Sequence, residues 1–113
     1  MTEKKSRVAE EATLDVVDVE AQVVTNTVKL SHPLSDGRDT LELDFDRING
    51  RTLIDCEKRA RKIDPTITVL ALSQVYQAMV GAAAAKMKYD AVLELSGKDF
   101  TALCVRVQSF LLP

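Results

Sequence analysis

The sequence predicts an α+β fold in which an N-terminal β-hairpin packs on a small bundle of three to four helices. Two stretches with a two-residue hydrophobic period precede a longer region in which apolar residues recur every three or four positions. The chain has 113 residues, of which 46% are hydrophobic, and this suffices for one hydrophobic core. We therefore expect a single domain over residues 22–113, preceded by a flexible N-terminal segment at residues 1–21.

The expected N-terminal segment is rich in small and charged side chains, and its few valines follow no sustained period. This composition is typical of a terminus that no tertiary contact holds in place. The alternative is an edge strand that contains Leu14, Val16, Val17 and Val19.

The hairpin is predicted from residues 22–30, which are rich in β-branched side chains, and residues 39–46, which alternate strictly. The alternation places Leu41, Leu43 and Phe45 on one face of the second strand. Between the two strands, a proline and an Asp-Gly pair indicate a turn. Because an isolated hairpin is only marginally stable, its apolar face must cover another element.

Three or four helices are expected to supply that partner. Their predicted positions are residues 52–63, 66–87 or 68–87, 91–95 and 97–111. Pro65 ends the first helix, because proline lacks the amide hydrogen and disfavours helix in the residue before it. Ser96 and Asp99 have the spacing of a capping box at the start of the last helix. The small residues at 81–85 predict a place where a neighbouring backbone approaches closely.

Side chains that carry out catalysis or bind metals are few and scattered. His32 is the only histidine, and Cys56 and Cys104 stand far apart, which favours reduced core thiols but leaves a disulfide open. The four glycines are isolated, so the sequence has no phosphate-binding loop. Asp44 and Asp46 are interpreted as the solvated face of a strand rather than as a paired-carboxylate site. We expect no enzyme, no metal and no cofactor.

The charge distribution argues against nucleic acid as a partner. The formal net charge is −2, the isoelectric point is near 5.4, and the charged residues are spread along the chain. The longest weakly polar run, residues 67–85, is too amphipathic for a membrane span. Residues 1–7 lead into a polar stretch rather than an apolar one, so we expect no secretory signal and a cytoplasmic location.

Apolar stripes on the predicted helices are the remaining signal. Most of these residues must form the core, but a small domain with several amphipathic helices can leave apolar surface. Tyr76, Met79, Phe100 and Phe110 would contribute to such a patch. The residues by themselves therefore predict an α+β domain that acts by binding other proteins.

The order of features over residues 22–112 also matches a family pattern. It runs from Leu30-Ser31-His32-Pro33-Leu34, Asp36-Gly37 and Thr40-Leu41-Glu42-Leu43 to Leu95-Ser96-Gly97-Lys98-Asp99-Phe100 and Val107-Gln108-Ser109-Phe110-Leu111. In this order the chain resembles the tail assembly chaperones of Mu-like and P2-like long-tailed bacteriophages. It departs from the family at residues 46–50, where an Arg-Pro-like element is expected.

The resemblance implies a non-catalytic chaperone that binds the tape measure protein, a very long helical chain, in the cytoplasm of the host bacterium. Such a chaperone keeps that chain soluble, helps to recruit tail tube subunits, and leaves before the particle of the phage or prophage is complete. Many family members also have a longer form made by ribosomal frameshifting. On this interpretation we expect Tyr76, Met79, Phe100 and Val107 to form part of the partner-binding groove, and a homo-oligomer stays open.

Three other interpretations stay open. The first is a structural tail or tail-completion subunit, which would persist in purified particles. The second is an enzyme or small-ligand protein, which a pocket with His32 beside an acid from another segment would favour. The third is a bacterial regulator unrelated to phage, which a basic groove would favour.

Overall fold

The computed structural model describes residues 26–113, and in this part of the chain the predicted α+β fold is confirmed. An antiparallel hairpin is followed by four helices. The elements are β1 Thr27–Lys29, β2 Thr40–Glu42, α1 Gly50–Ile63, α2 Gln74–Ala85, α3 Tyr89–Leu93 and α4 Gly97–Leu111. The predicted flexible segment, its alternative edge strand and residues 22–25 of the predicted first strand lie outside the described residues.

The hairpin buries the face that the alternation predicts. Val28 lies opposite Leu41 in the strand register, and both are buried, as are the neighbouring Leu30 and Leu43. Backbone hydrogen bonds continue past the strand ends, where Leu30 N–H donates to the Asp39 carbonyl at 2.8 Å. The hairpin packs this face on α2 and α4.

The second strand is shorter than the predicted 39–46, because the chain turns into a 3-10 helix at Phe45–Arg47. Asp44 N–H donates to the Ala84 carbonyl of α2 at 3.0 Å instead of continuing a ladder. Phe45 consequently leaves the predicted strand face and stacks on Phe110, with ring centroids 4.4 Å apart. Asp44 and Asp46 are both exposed, but Asp46 lies on a helical turn rather than on a strand.

Helix α1 begins at Gly50, two residues before the predicted start at residue 52. Asn49 is its N-cap and forms a reciprocal capping box with Thr52, in which Asn49 Oδ1 accepts from Thr52 N–H at 3.0 Å. The helix ends before Asp64-Pro65, as predicted. The departure from the family pattern at residues 46–50 thus coincides with a 3-10 turn and a helix cap.

Helix α2 begins at Gln74, not at residue 66 or 68, because local hydrogen bonds hold the preceding linker in turns. The Asp64 carboxylate accepts from Thr66, and Arg61 Nη1 donates to the Ile67 carbonyl at 2.9 Å. Ser73 then caps the helix by accepting from Tyr76 N–H. Helix α2 is central: it contacts α1, α3, α4 and β2, and nearly all its side chains are buried.

Helix α4 lies close to α2 at Gly81. A Cβ atom at this position would lie 3.1 Å from Leu103 Cγ and Cδ1, and Leu103 is fully buried. A close approach was predicted at residues 81–85, but the group that approaches Gly81 is the Leu103 side chain and not a neighbouring backbone.

The last two helices follow the predicted order with small shifts. Helix α3 begins at Tyr89, two residues earlier than the predicted residue 91, and Asp90 lies in its first turn. Helix α4 has Ser96 as its N-cap, as predicted, and Ser96 Oγ accepts from Asp99 N–H at 3.2 Å.

Candidate functional site

The hairpin loop is fastened to the first turn of α4 by one buried carboxylate. Asp99 Oδ1 and Oδ2 accept from Ser31 N–H at 2.9 and 3.0 Å, and Oδ2 also accepts from Ser31 Oγ at 3.1 Å. Ser96 Oγ lies 3.2 Å from Ser31 Oγ. We call Ser31, Ser96 and Asp99 the clamp, which joins segments 68 positions apart in the chain.

The hydrogen bonds of the clamp stabilise the ionised form of the Asp99 carboxylate. Asp99 is only 2% exposed, and the hydrogen bond from Ser31 N–H is the main cause of the lowered pKa of its carboxyl. Burial acts in the opposite direction, while the Ser96 and Ser31 side chains and the His32 backbone lower the pKa further. Hydrogen bonds donated to a carboxylate favour its charged form, so protonation of Asp99 would weaken the clamp.

The serine, histidine and aspartate at this place do not have the order of a nucleophilic triad. Ser31 Oγ donates to Asp99 and lies 3.1 Å from His32 Nδ1. Because the hydroxyl proton points to the carboxylate, His32 can donate to Ser31 Oγ but does not accept its proton. In a triad the imidazole stands between the serine and the acid. Here the serine, Ser31, stands between His32 and Asp99.

A cleft of about 500 Å³ opens beside the clamp, between the hairpin loop, the α2–α3 connection and the end of α3. We call it the loop cleft. Its apolar lining consists of Pro33, Leu34, Met87, Ala91 and Leu95. This volume lies within the range of pockets that bind ligands or side chains of a partner.

Charged side chains surround the apolar lining of the loop cleft. Arg38 Nε donates to Asp36 Oδ2 at 3.0 Å, so these two charges neutralise each other. Lys86, Lys88 and Glu94 complete the charged rim. The cleft therefore brings His32 to the same opening as Glu94, an acid from another segment, and both side chains are exposed. That the chain is not an enzyme stays a prediction.

Three of the four residues expected to contact a partner lie in the core. Tyr76 and Met79 are each 4% exposed, Val107 is fully buried, and Phe100 is half-buried. Of these three, Met79 still borders a shallow cleft of about 370 Å³, together with Ala82 and Met87. Contact with a partner at these positions stays a prediction.

Other apolar side chains are exposed instead, and the sequence pattern did not identify them. The large hydrophobic residues that are about half exposed are Ile54, Ile63, Val69, Leu72, Leu93, Val105 and Leu112. Val69 and Leu72 line a shallow groove of about 630 Å³ along the linker before α2. The predicted helix over 66–87 or 68–87 includes Leu72, whereas α2 begins only at Gln74 and leaves this side chain exposed.

The two cysteines are free, buried thiols. Burial raises the pKa of Cys104 to about 11 and is the main cause of the raised pKa of Cys56. Both therefore stay protonated near neutral pH and are poor nucleophiles.

Within residues 26–113, no group of three or more His, Cys, Asp or Glu side chains is arranged to hold a metal ion. No helix in this part of the chain combines the length and hydrophobicity needed to cross a bilayer. Comparisons of the chain with protein-family models, with curated proteins and with solved structures found no match.

Proposed function

We propose that this protein is a tail assembly chaperone of a phage or prophage, which binds the tape measure protein and promotes assembly of the tail tube around it. The chaperone acts without catalysis in the host cytoplasm. It keeps the apolar positions of a long helical chain covered until tube subunits replace it, and tube subunits are its second expected partner.

The observation that supports this proposal best is the clamp. The two segments with the most detailed resemblance to the chaperone family, residues 30–37 and 95–100, are far apart in the sequence and adjacent in the structure. The acidic residue near the end of the family pattern is Asp99, whose carboxylate holds the hairpin loop. The resemblance thus includes a residue with a definite task in the fold, beyond shared hydrophobic positions.

The exposed apolar surface gives further support. A chaperone for a helical chain needs grooves that accept apolar side chains without unfolding, as in helix-in-groove recognition. The loop cleft and the groove beside Leu72 are two such surfaces in the described part of the chain.

The proposal is tested by co-expressing the chain with the tape measure protein of the same phage or prophage. We expect a complex that survives size-exclusion chromatography and a larger soluble fraction of the tape measure protein than with an unrelated acidic protein of similar size. Mass spectrometry of finished particles should then find the tape measure protein and not this chain. The absence of any complex would refute the proposal, and stoichiometric retention in particles would identify a structural subunit.

A further inference from the structure

The loop cleft has an apolar interior that the fold leaves open. Leu34 from the hairpin loop, Met87 from the α2–α3 connection and Leu95 from the end of α3 each line it and are only half-buried. Three separate segments therefore contribute partly exposed apolar surface to one concavity. Methionine adapts its shape to different partners, which suits a surface that binds helical segments of varied sequence.

The rim of this cleft carries uncompensated positive charge. Lys86 and Lys88 both line the cleft, and neither side chain forms a hydrogen bond or ion pair with another described residue. Since Arg38 is paired with Asp36, Glu94 is the one remaining acid in the lining. Two lysines against one glutamate leave the rim positive, although the whole chain has a net charge of −2.

Lys86 also has a backbone conformation that a lysine rarely adopts. It ends α2 with φ 59° and ψ 45°, and it is the one non-glycine residue with positive φ in the described part of the chain. Glycine is the usual residue at this position after a helix, because it has no Cβ to clash. A cation near a helix C-terminus complements the helix dipole, but Lys88 already lies close to that end. The left-handed turn closes the end of α2, where Met87 N–H donates to the Ala82 carbonyl at 2.9 Å, and it places Lys86 at the rim of the cleft.

We propose that the loop cleft binds an acidic amphipathic segment of a partner protein, whose apolar side chains enter between Leu34, Met87 and Leu95 while its carboxylates meet Lys86 and Lys88. This inference builds on the proposed function, in which that segment belongs to the tape measure protein. Charge complementarity selects the occupant, because a basic or uncharged apolar helix would leave both lysines without a counter-charge.

The first test uses defined probes and the full chain. One probe is a synthetic 20-residue amphipathic helix with leucine on one face and glutamate beside it, and the matched probe has lysine at each glutamate position. The NMR amide resonances of Leu34, Met87 and Leu95 should shift on addition of the acidic probe and should not shift with the basic probe. Binding of the acidic probe should weaken at higher salt. Shifts elsewhere, equal shifts with both probes, or no shifts would overturn the inference.

Charge reversal then assigns the binding to the two lysines. The double variant Lys86→Glu/Lys88→Glu should bind the acidic probe about tenfold more weakly or worse, since two attractive contacts become repulsive. Lys58→Glu is the matched control, because it reverses an exposed lysine on α1 that does not line the cleft. It should change affinity less than twofold. Equal affinities of all three proteins would overturn the inference.

Lys86→Gly separates binding from folding. Glycine relieves the backbone strain, so this variant should be at least as stable as the wild type and yet bind the acidic probe more weakly. A variant that is more stable and binds equally well would contradict the role given to Lys86. Cleft shifts that appear on raising the protein concentration without any probe would identify a second copy of the chain as the occupant and would also overturn the inference.

These probes distinguish the inference from the proposed function. If the chain binds the tape measure protein and the Lys86→Glu/Lys88→Glu variant binds it equally well, the chaperone function stands and the loop cleft is not its site. If the acidic probe binds in the cleft and the tape measure protein does not bind the chain, the cleft assignment stands and the chaperone function fails.

Discussion

Gly81→Ala in α2 tests the packing of α2 against α4, and we expect it to destabilise the protein. In an exposed helix, alanine in place of glycine would contribute about 1 kcal/mol in favour of folding. At this position, however, the new Cβ would lie 3.1, 3.1 and 3.2 Å from Leu103 Cδ1, Cγ and Cδ2. Ordinary carbon–carbon contacts are roughly 3.5–4.0 Å, and Leu103 is fully buried.

The overpacking cost at such a site is about 1–3 kcal/mol, and the middle of this range exceeds the gain of about 1 kcal/mol in helix propensity. The net loss of unfolding free energy should therefore be about 1 kcal/mol, or a fall in Tm of roughly 4–8 °C for a domain of this size. Urea denaturation followed by circular dichroism at a fixed temperature measures this difference.

A second background makes the prediction specific to one contact. Leu103→Ala should cost about 2–5 kcal/mol by itself, because it leaves a cavity against Gly81. In that background Gly81→Ala no longer meets the leucine side chain, and it should become stabilising by about 1 kcal/mol. The change in unfolding free energy caused by Gly81→Ala thus has opposite signs in the wild-type and Leu103→Ala backgrounds.

Gly50→Ala is the matched control, because a Cβ at the first residue of α1 meets nothing within 4 Å. It should be neutral or stabilising by up to about 1 kcal/mol. If Gly81→Ala stabilises the wild-type protein, or has the same effect with and without the Leu103 side chain, contact with Leu103 does not set the cost of this substitution.

Three further predictions concern the clamp, the end of α2 and the thiols. The pKa of Asp99 is lowered from its ordinary value of 3.8, so its contribution to stability is present above that value and is lost as the pH falls through the folded-state pKa. Asp99→Asn should therefore be less stable than the wild type at pH 6, and the difference should shrink as the pH falls below about 4 in urea titrations; a constant difference would contradict the clamp. Lys86→Gly should raise the unfolding free energy by about 0.5–1 kcal/mol, and a loss of stability in the same urea assay would show that no strain is stored there. Cys56 and Cys104 should react with a thiol reagent at pH 8 only as fast as the protein opens, and rapid reaction of both in the native protein would contradict their burial.

The clamp explains how a hairpin with only three residues in each strand is held on the helices. The Asp99 carboxylate attaches the loop end of the hairpin to α4. The hydrogen bond from Asp44 N–H to the Ala84 carbonyl attaches the other end of β2 to α2. The apolar face between these two attachments then packs on α2 and α4. Loss of either attachment should loosen the hairpin before the helices, because the ladder itself is too short to persist alone.

Several elements were predictable because their signals are local. The alternation around Leu41 and Leu43 identified the buried face of the hairpin, since side chains on a strand point to opposite faces in turn. Pro65 ended α1 and Ser96 began α4, because each acts through its own backbone neighbourhood. The scarcity of histidine, cysteine and glycine motifs was likewise a property of the sequence alone.

Tertiary structure decided which apolar residues are covered. A helical period marks a stripe on one helix, but whether a neighbour packs on that stripe depends on contacts between residues distant in the chain. Tyr76 became core because α2 is surrounded by other elements, and Val107 became core because α4 packs on α2. Leu72 became surface because hydrogen bonds in the linker delay the start of α2. The pairing of Ser31 with Asp99 is of the same kind: no local pattern joins residues 68 positions apart, so only the folded chain brings them together.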